Sequence, residues 1–131
     1  MEISPRNLDL VDRDGYLEAR ALGSYSLDRM KSQLEQAVAA CLKRNAEGLL
    51  FDITEIEGYR PTTAERYQIG SHIAQLIRSG LGRFACLAKV EQIDRENFTS
   101  QVATNRGRPA PVFNNREEAV AWILEQPPAS R

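Results

Sequence analysis

Alternating apolar and polar residues near the start of the chain predict a β-hairpin. Residues 8–13 and 16–22 each place apolar side chains at every second position, the period of a strand with one buried and one solvent face. The pair Asp14-Gly15 between them favours a two-residue turn, because both central residues of such a turn need a positive φ. We therefore predict an antiparallel hairpin whose solvent face carries Glu18 and Arg20.

Apolar residues that recur every three to four positions predict two long helices. The first covers residues 27–44, with Ser26 as its N-cap. The second covers residues 62–79, where Thr62 and Glu65 have the spacing of a capping box. This second helix has an unusually broad apolar face, made of Ile69, Gly70, Ile73, Ala74, Leu76 and Ile77. Such a face indicates contact with a partner subunit or a ligand.

Two uninterrupted apolar runs, at residues 48–53 and 83–89, predict strands that are covered on both faces. A helix joins them, so we expect them to pair in parallel at the centre of a sheet. The remaining pattern predicts a third helix over residues 94–105, which Gly107 ends as a C-cap. An edge strand in residues 108–113 comes next.

A last helix follows Asn115, which stands three residues before Glu118 as in a capping box. The predicted order is therefore β-β-α-β-α-β-α-β-α. It describes a single α/β domain with a mixed β-sheet and an N-terminal antiparallel hairpin. We place this domain at residues 8–125 and expect residues 1–7 and 126–131 to be flexible termini.

Composition excludes several classes of function. The 131 residues include 17 Lys and Arg against 18 Asp and Glu, a formal net charge of -1, which lacks the basic excess of a nucleic-acid-binding protein. No apolar run approaches the length of a membrane span, and the first residues lack the apolar core of a signal peptide. Cys41 and Cys86 lie far apart inside apolar runs, which indicates reduced core residues of a cytoplasmic protein.

Candidate chemistry collects where the parallel strands end. The loops after residues 52 and 89 should meet at one edge of the sheet, the usual place for a ligand in an α/β fold. Asp52, Glu55 and Glu57 have the oxygen ligands of a cation site but not the spacing of a calcium loop. Ser71 stands beside His72, but no nearby Asp completes a triad on the same helical face, and no glycine-rich phosphate loop follows any strand. We expect no metal, no cofactor and no catalytic activity.

Several short segments, taken in order along residues 8–123, resemble the SpoIIAA-like branch of the STAS domains, the family of the anti-sigma-factor antagonists. After the hairpin, these segments are GLLFDITEIEG at residues 48–58, Glu65-Arg66, RFACLA at residues 83–88, Phe98, Asn105-Arg106-Gly107, Val112-Phe113, Glu118-Ala119 and Trp122-Ile123. The resemblance implies a bacterial regulatory or protein-interaction module without catalytic residues. Its partner would be a kinase or a sigma-factor regulator.

The resemblance also implies a phosphorylation switch, which this chain carries only in part. In the antagonists, a serine within an Asp-Ser-x-Gly motif opens the helix after the third strand. Residues 58–63 of this chain read GYRPTT, so the motif is absent. Thr62 and Thr63 occupy the comparable place and are the candidates for phosphorylation.

We expect partner binding on the loop of residues 54–60 and the start of the second helix. The candidate residues are Glu57, Tyr59, Arg60, Thr62 and Thr63, and neither Tyr59 nor Arg60 is expected in the core. A plain connecting loop before a well-capped helix explains the same residues. A homodimer is expected through the broad apolar face of the second helix. The alternative function is a lipid or small-molecule carrier, with an apolar cavity between that helix and the sheet.

Overall fold

A computed structural model describes residues 7–93, 98–106 and 109–125. Within these residues, five strands form one sheet in the order β1-β2-β3-β4-β5. The strands are β1 (Leu8–Arg13), β2 (Tyr16–Ala21), β3 (Gly48–Asp52), β4 (Arg83–Leu87) and β5 (Val112–Phe113). β1 is antiparallel to β2, and all the other neighbours are parallel. The predicted mixed sheet with a parallel centre is therefore confirmed.

Four α-helices pack on this sheet in the described part of the chain. They are α1 (Leu27–Lys43), α2 (Thr63–Ile77), α3 (Phe98–Arg106) and α4 (Arg116–Leu124). A short 3-10 turn at Val90–Gln92, which the sequence pattern does not predict, follows β4. The predicted start of the third helix at residue 94, its C-cap at Gly107 and the two termini before residue 7 and after residue 125 lie outside the described residues.

The predicted caps explain where three helices begin. Ser26 Oγ accepts a hydrogen bond from the Arg29 N–H at 3.1 Å at the start of α1. Thr62 and Glu65 form both halves of the capping box of α2. The Asn115 side chain accepts from the Glu118 N–H at 2.9 Å at the start of α4. These local hydrogen bonds fix helix starts independently of the rest of the fold.

The two faces of the sheet bury different cores. Leu17, Leu49, Phe51 and Phe84 belong to a large apolar cluster that includes residues of α1, α2 and α3. Residues of opposite parity on the same strands form a smaller cluster with α4, made of Leu50, Ala85, Leu87, Ala119 and Ile123. The full burial of β3 follows from this arrangement, because helices cover the sheet on both sides.

The broad apolar face of α2 is buried inside the chain. Ile69, Ile73 and Ile77 are all less than a tenth exposed. Gly70 allows α3 to approach closely: a Cβ at Gly70 would lie 2.6 Å from the Thr99 carbonyl oxygen. α3 and the sheet therefore cover the face through which we expected a dimer, so this face does not support self-association. None of the described helices is long and apolar enough to cross a membrane.

The prediction that one face of the hairpin lies in solvent is wrong at Glu18. Glu18 is fully buried, although the alternation of β2 predicts it in solvent beside Arg20. Its side chain lies on the same side of the sheet as α4, and Arg116 at the start of α4 covers it. The alternating pattern identifies a polar face but does not show that charged residues of another element cover it.

Candidate functional site

The backbone of the predicted loop is held by its neighbours. The Glu57 N–H donates to the Gly23 carbonyl, and the Tyr25 N–H donates to the Glu57 carbonyl, each at 2.9 Å. Ile56 anchors the same loop, with only 5% of its surface exposed. The loop is therefore a fixed surface at the carboxyl edge of β3, tied to the connection between β2 and α1.

Four of the five predicted partner-binding side chains lie on this surface. Glu57, Arg60, Thr62 and Thr63 are exposed, whereas Tyr59 is half-buried. Thr62 Oγ1 is already used as the N-cap, since it accepts from the Glu65 N–H at 3.1 Å. Thr63 is the first residue of α2. Both threonine hydroxyls are thus at the surface, but only Thr62 has a capping role.

Tyr59 packs against the apolar core, which corrects the expectation that it would lie outside. Its ring makes an edge-to-face contact with Tyr25 at 5.2 Å between centroids. The Arg66 guanidinium lies 5.8 Å from the centre of the Tyr59 ring. The Tyr25 hydroxyl donates to Glu65 Oε1 at 3.2 Å, and the same oxygen accepts from the Thr62 N–H. Burial, with the charge of Glu65, raises the pKa of Tyr25, so its hydroxyl stays a neutral donor.

A small apolar cavity lies behind this aromatic pair, between α2, α3, α1 and the sheet. Ile69, Ile73, Phe51 and Phe84 supply apolar walls, and Tyr59 also lines the space. The cavity has a volume of about 50 Å³, large enough to hold water or a small ligand fragment. The position is the one predicted for a carrier, between the second helix and the sheet.

The thiol at the cavity is not an activated nucleophile. Cys86 lines it, and burial, together with the charge of Asp52, raises the pKa of the Cys86 thiol to about 12. Burial likewise raises the pKa of the Cys41 thiol to about 11. A thiol with a raised pKa carries little thiolate at neutral pH.

Away from the cavity, His72 Nε2 lies 3.1 Å from Glu35 Oε2, and this contact links α2 to α1.

A buried charge network occupies the other face of the sheet. Glu18 Oε1 accepts from Arg13 Nε at 2.9 Å, and its Oε2 accepts from Arg20 Nε at 3.1 Å. Arg116 Nη1 lies 2.8 Å from the same Oε2. The three arginine side chains are between 37% and 42% exposed, whereas that of Glu18 is not exposed at all. One carboxylate thus holds together β1, β2 and α4.

Arg116 extends the network to a second buried carboxylate. Its Nη2 donates to Asp52 Oδ2 at 3.2 Å. The other oxygen of Asp52 accepts from the N–H and the hydroxyl of Thr54, at 2.8 and 2.7 Å. Asp52 therefore fixes the start of the loop and the position of α4. No group of three or more His, Cys, Asp and Glu that could hold a metal ion occurs among the described residues.

The arginines set the charge state of Glu18. Burial by itself raises the pKa of a carboxyl group, but the hydrogen bonds from Arg116, Arg20 and Arg13 outweigh it and hold the pKa of Glu18 below its usual value. One signal in the sequence pointed to such a partner. Arg116 is the first residue of α4, where a cation is unfavourable with respect to the helix dipole, and a nearby carboxylate offsets this cost.

The fold is shared with solved structures of bacterial proteins, although no family model and no curated protein matches the chain. An anti-sigma factor antagonist from Mycobacterium paratuberculosis superposes with a TM-score of 0.62 at 16% identity, over 90% of this chain and 93% of that one. An uncharacterized protein of the DUF3478 family from Shewanella loihica PV-4 has a SpoIIAA-like fold. It superposes with a TM-score of 0.53 at 16% identity, over 95% of this chain and 99% of that one. The chain therefore has a SpoIIAA-like fold, which confirms the predicted resemblance at the level of the fold.

Proposed function

We propose that this chain is a non-enzymatic regulatory module of the bacterial cytoplasm that binds a protein partner through the loop after β3 and the start of α2. The observation that carries the proposal is a set of exposed polar side chains on the fixed loop and the helix start that follows it: Glu57, Arg60, Thr62 and Thr63. The likeness in fold to an anti-sigma factor antagonist supports a kinase or a sigma-factor regulator as the partner. Tyr59 supports this surface from beneath.

A double variant, Glu57→Ala with Arg60→Ala, tests the surface. A partner is first captured on the immobilised wild-type protein, identified by mass spectrometry, and then titrated in purified form. We expect the double variant to weaken binding at least about tenfold, because interface anchors commonly contribute that much. The matched control is Glu47→Ala with Lys43→Ala, two exposed charges near the opposite end of β3. Equal binding by both double variants would place the partner surface elsewhere.

Stability measurements separate binding from folding. Both double variants should melt within about 2 °C of the wild type, since all four side chains are exposed. Tyr59→Ala should lower the melting temperature, because it removes the contacts with Tyr25 and Arg66. A weakened Tyr59→Ala variant is therefore not evidence for a direct contact with the partner.

The proposal includes phosphorylation of Thr62 or Thr63 as its switch. A phosphate at either position would meet the favourable end of the α2 dipole, although a phosphate on Thr62 would also face the Glu65 carboxylate of the capping box. Treatment with the captured kinase, followed by mass spectrometry, identifies the site. Thr62→Ala alone should also remove the cap, which costs about 0.5–2 kcal/mol.

The cavity favours a second candidate, the binding of a small apolar ligand. Its walls are mainly apolar, and its volume fits a few heavy atoms rather than a long chain. Native mass spectrometry of gently purified protein tests for a retained ligand. Ala110→Leu, on the cavity wall, should abolish retention of the ligand, whereas Ala39→Leu on the exposed side of α1 should not.

Self-association also remains part of the proposal, but the apolar face of α2 does not support it, because that face is buried inside the chain.

A further inference from the structure

β1 forms one edge of the described sheet. β1 pairs with β2 on one side only, and no described strand lies on its other side. An open edge can pair with a further strand, and proteins prevent this with proline, bulges, charged side chains or a covering segment. Residues 8–13 read LDLVDR, with three charged residues of both signs but no proline or lysine, and their register with β2 is unbroken. Mixed charges of this kind allow only those partners whose charges are complementary.

One hydrogen bond shows which backbone groups of β1 point outward. The Leu22 N–H donates to the Asn7 carbonyl at 2.8 Å, so these two residues form a hydrogen-bonded pair of the antiparallel ladder. Such pairs alternate along the strand. Asp9, Val11 and Arg13 therefore bond to β2, whereas Leu8, Leu10 and Asp12 direct their N–H and C=O groups away from the sheet.

The charges of β1 select one way for a second copy to pair with this edge. Two copies related by a two-fold axis place β1 antiparallel to β1, with side chains of equal parity on the same face. With Val11 on the axis, Leu10 faces Asp12 as the hydrogen-bonded pair, and Asp9 faces Arg13 of the other copy. With the axis at Leu10 instead, Asp9 would face Val11 of the other copy. With the axis at Asp12, the two Asp12 side chains would face each other. Only the first register pairs opposite charges on both sides of the axis.

We infer that two copies of this chain associate through β1, antiparallel and with Val11 at the two-fold axis, to form one continuous sheet. Four backbone hydrogen bonds and two Asp9–Arg13 pairs join the copies. Each Arg13 keeps its Nε bond to the buried Glu18 on β2, and its terminal nitrogens meet Asp9 of the other copy. The inference adds a self-association surface to the proposed module. Its test uses no other protein, so it and the partner-binding surface can fail separately.

Disulfide trapping tests the register. Facing residues of a non-hydrogen-bonded pair have Cα atoms about 4.5 Å apart, within the roughly 4.4–6.8 Å that a disulfide needs. Val11→Cys should therefore give a covalent dimer with oxidised glutathione, at least about tenfold faster than Leu10→Cys, whose side chain would face residue 12. Wild-type protein is the background control, because the raised pKa values of Cys41 and Cys86 slow their reaction. Faster trapping of Leu10→Cys, or none in either variant, would overturn the register.

A matched pair of variants tests the backbone hydrogen bonds. Asp12→Pro and Asp12→Ala both remove the exposed ion pair with Arg44, but only proline removes the outward N–H. We expect Asp12→Pro to raise the dimer dissociation constant at least about tenfold relative to Asp12→Ala in sedimentation equilibrium. Circular dichroism checks that both variants remain folded. A wild-type protein that stays monomeric up to about 1 mM, or equal dissociation constants for the two variants, would contradict the inference.

Discussion

The two faces of the sheet are stabilised by different physical effects, although they share the same strands. On one face, α1, α2 and α3 cover a large apolar cluster that still contains a cavity. On the other, α4 covers only a small apolar cluster, and the area beside it is occupied by Glu18, Asp52 and their arginines. The first face depends on buried apolar area, and the second on the pairing of charges, so substitutions should affect them differently.

The largest effect is expected from the apolar face. Phe51 is 2% exposed and stacks on Phe84 at 6.3 Å between ring centroids. Phe51→Ala should lower the free energy of unfolding by about 3–5 kcal/mol, because it removes a large buried side chain and enlarges a cavity that exists already. Urea denaturation measures this change.

Val90→Ala is the control, since Val90 is 64% exposed and should change stability by less than about 0.5 kcal/mol. A loss below about 2 kcal/mol for Phe51→Ala would mean that the neighbouring side chains collapse into the space. In that case the cavity beside Phe51 is not rigid, and the contrast between the two faces is weaker than the structure indicates.

A smaller effect is expected from the charged face. Glu18→Ala should lower the free energy of unfolding by about 2 kcal/mol, because it leaves three arginines without their shared carboxylate. The loss should stay below the roughly 3–5 kcal/mol of a fully buried pair, since the arginines are partly exposed and water can solvate them. Glu91→Ala removes an exposed carboxylate as the control. Equal stability of the two variants would show that the network is a surface ion cluster only.

Local signals in the sequence predicted most of the fold. The uninterrupted run Leu49-Leu50-Phe51 indicated a strand covered on both faces, and the caps at Ser26 and Thr62 indicated where helices start. These signals act over a few residues, so no tertiary information is needed to interpret them. The turn at Val90–Gln92 was missed, although the Gln92 side chain stabilises it locally, by accepting from the Lys89 N–H, as well as through a hydrogen bond to the distant Ile53 carbonyl.

Features that depend on two distant segments could not be predicted in the same way. The pattern of β2 marks Glu18 as polar, but its burial depends on Arg116, far along the chain. The pattern of α2 marks a broad apolar face without showing that α3 covers it at Gly70. Tyr59 is a similar case, since its ring packs on Tyr25, which lies in the distant connection between β2 and α1. The sequence predicted where the candidate loop lies, but it did not predict that Tyr59 packs inward.

The smallest expected effect is a difference in pH dependence between the wild type and Glu18→Gln. The arginines hold the pKa of Glu18 in the folded protein below its ordinary value of 4.5, which the unfolded chain keeps. The folded state then binds fewer protons than the unfolded state as the pH falls through this region. The resulting stabilisation is fully present above about pH 4.5 and is lost as the pH falls through the lower pKa of the folded state.

Glu18→Gln keeps the shape of the side chain but cannot lose a proton. Its free energy of unfolding should therefore fall less steeply than that of the wild type between about pH 5 and pH 3, measured by urea denaturation at each pH. Glu91→Gln, at an exposed carboxylate, should follow the wild-type slope. Parallel slopes for the wild type and Glu18→Gln would show that the arginines do not favour the charged form of Glu18. The two faces of the sheet would then differ in polarity but not in their response to pH.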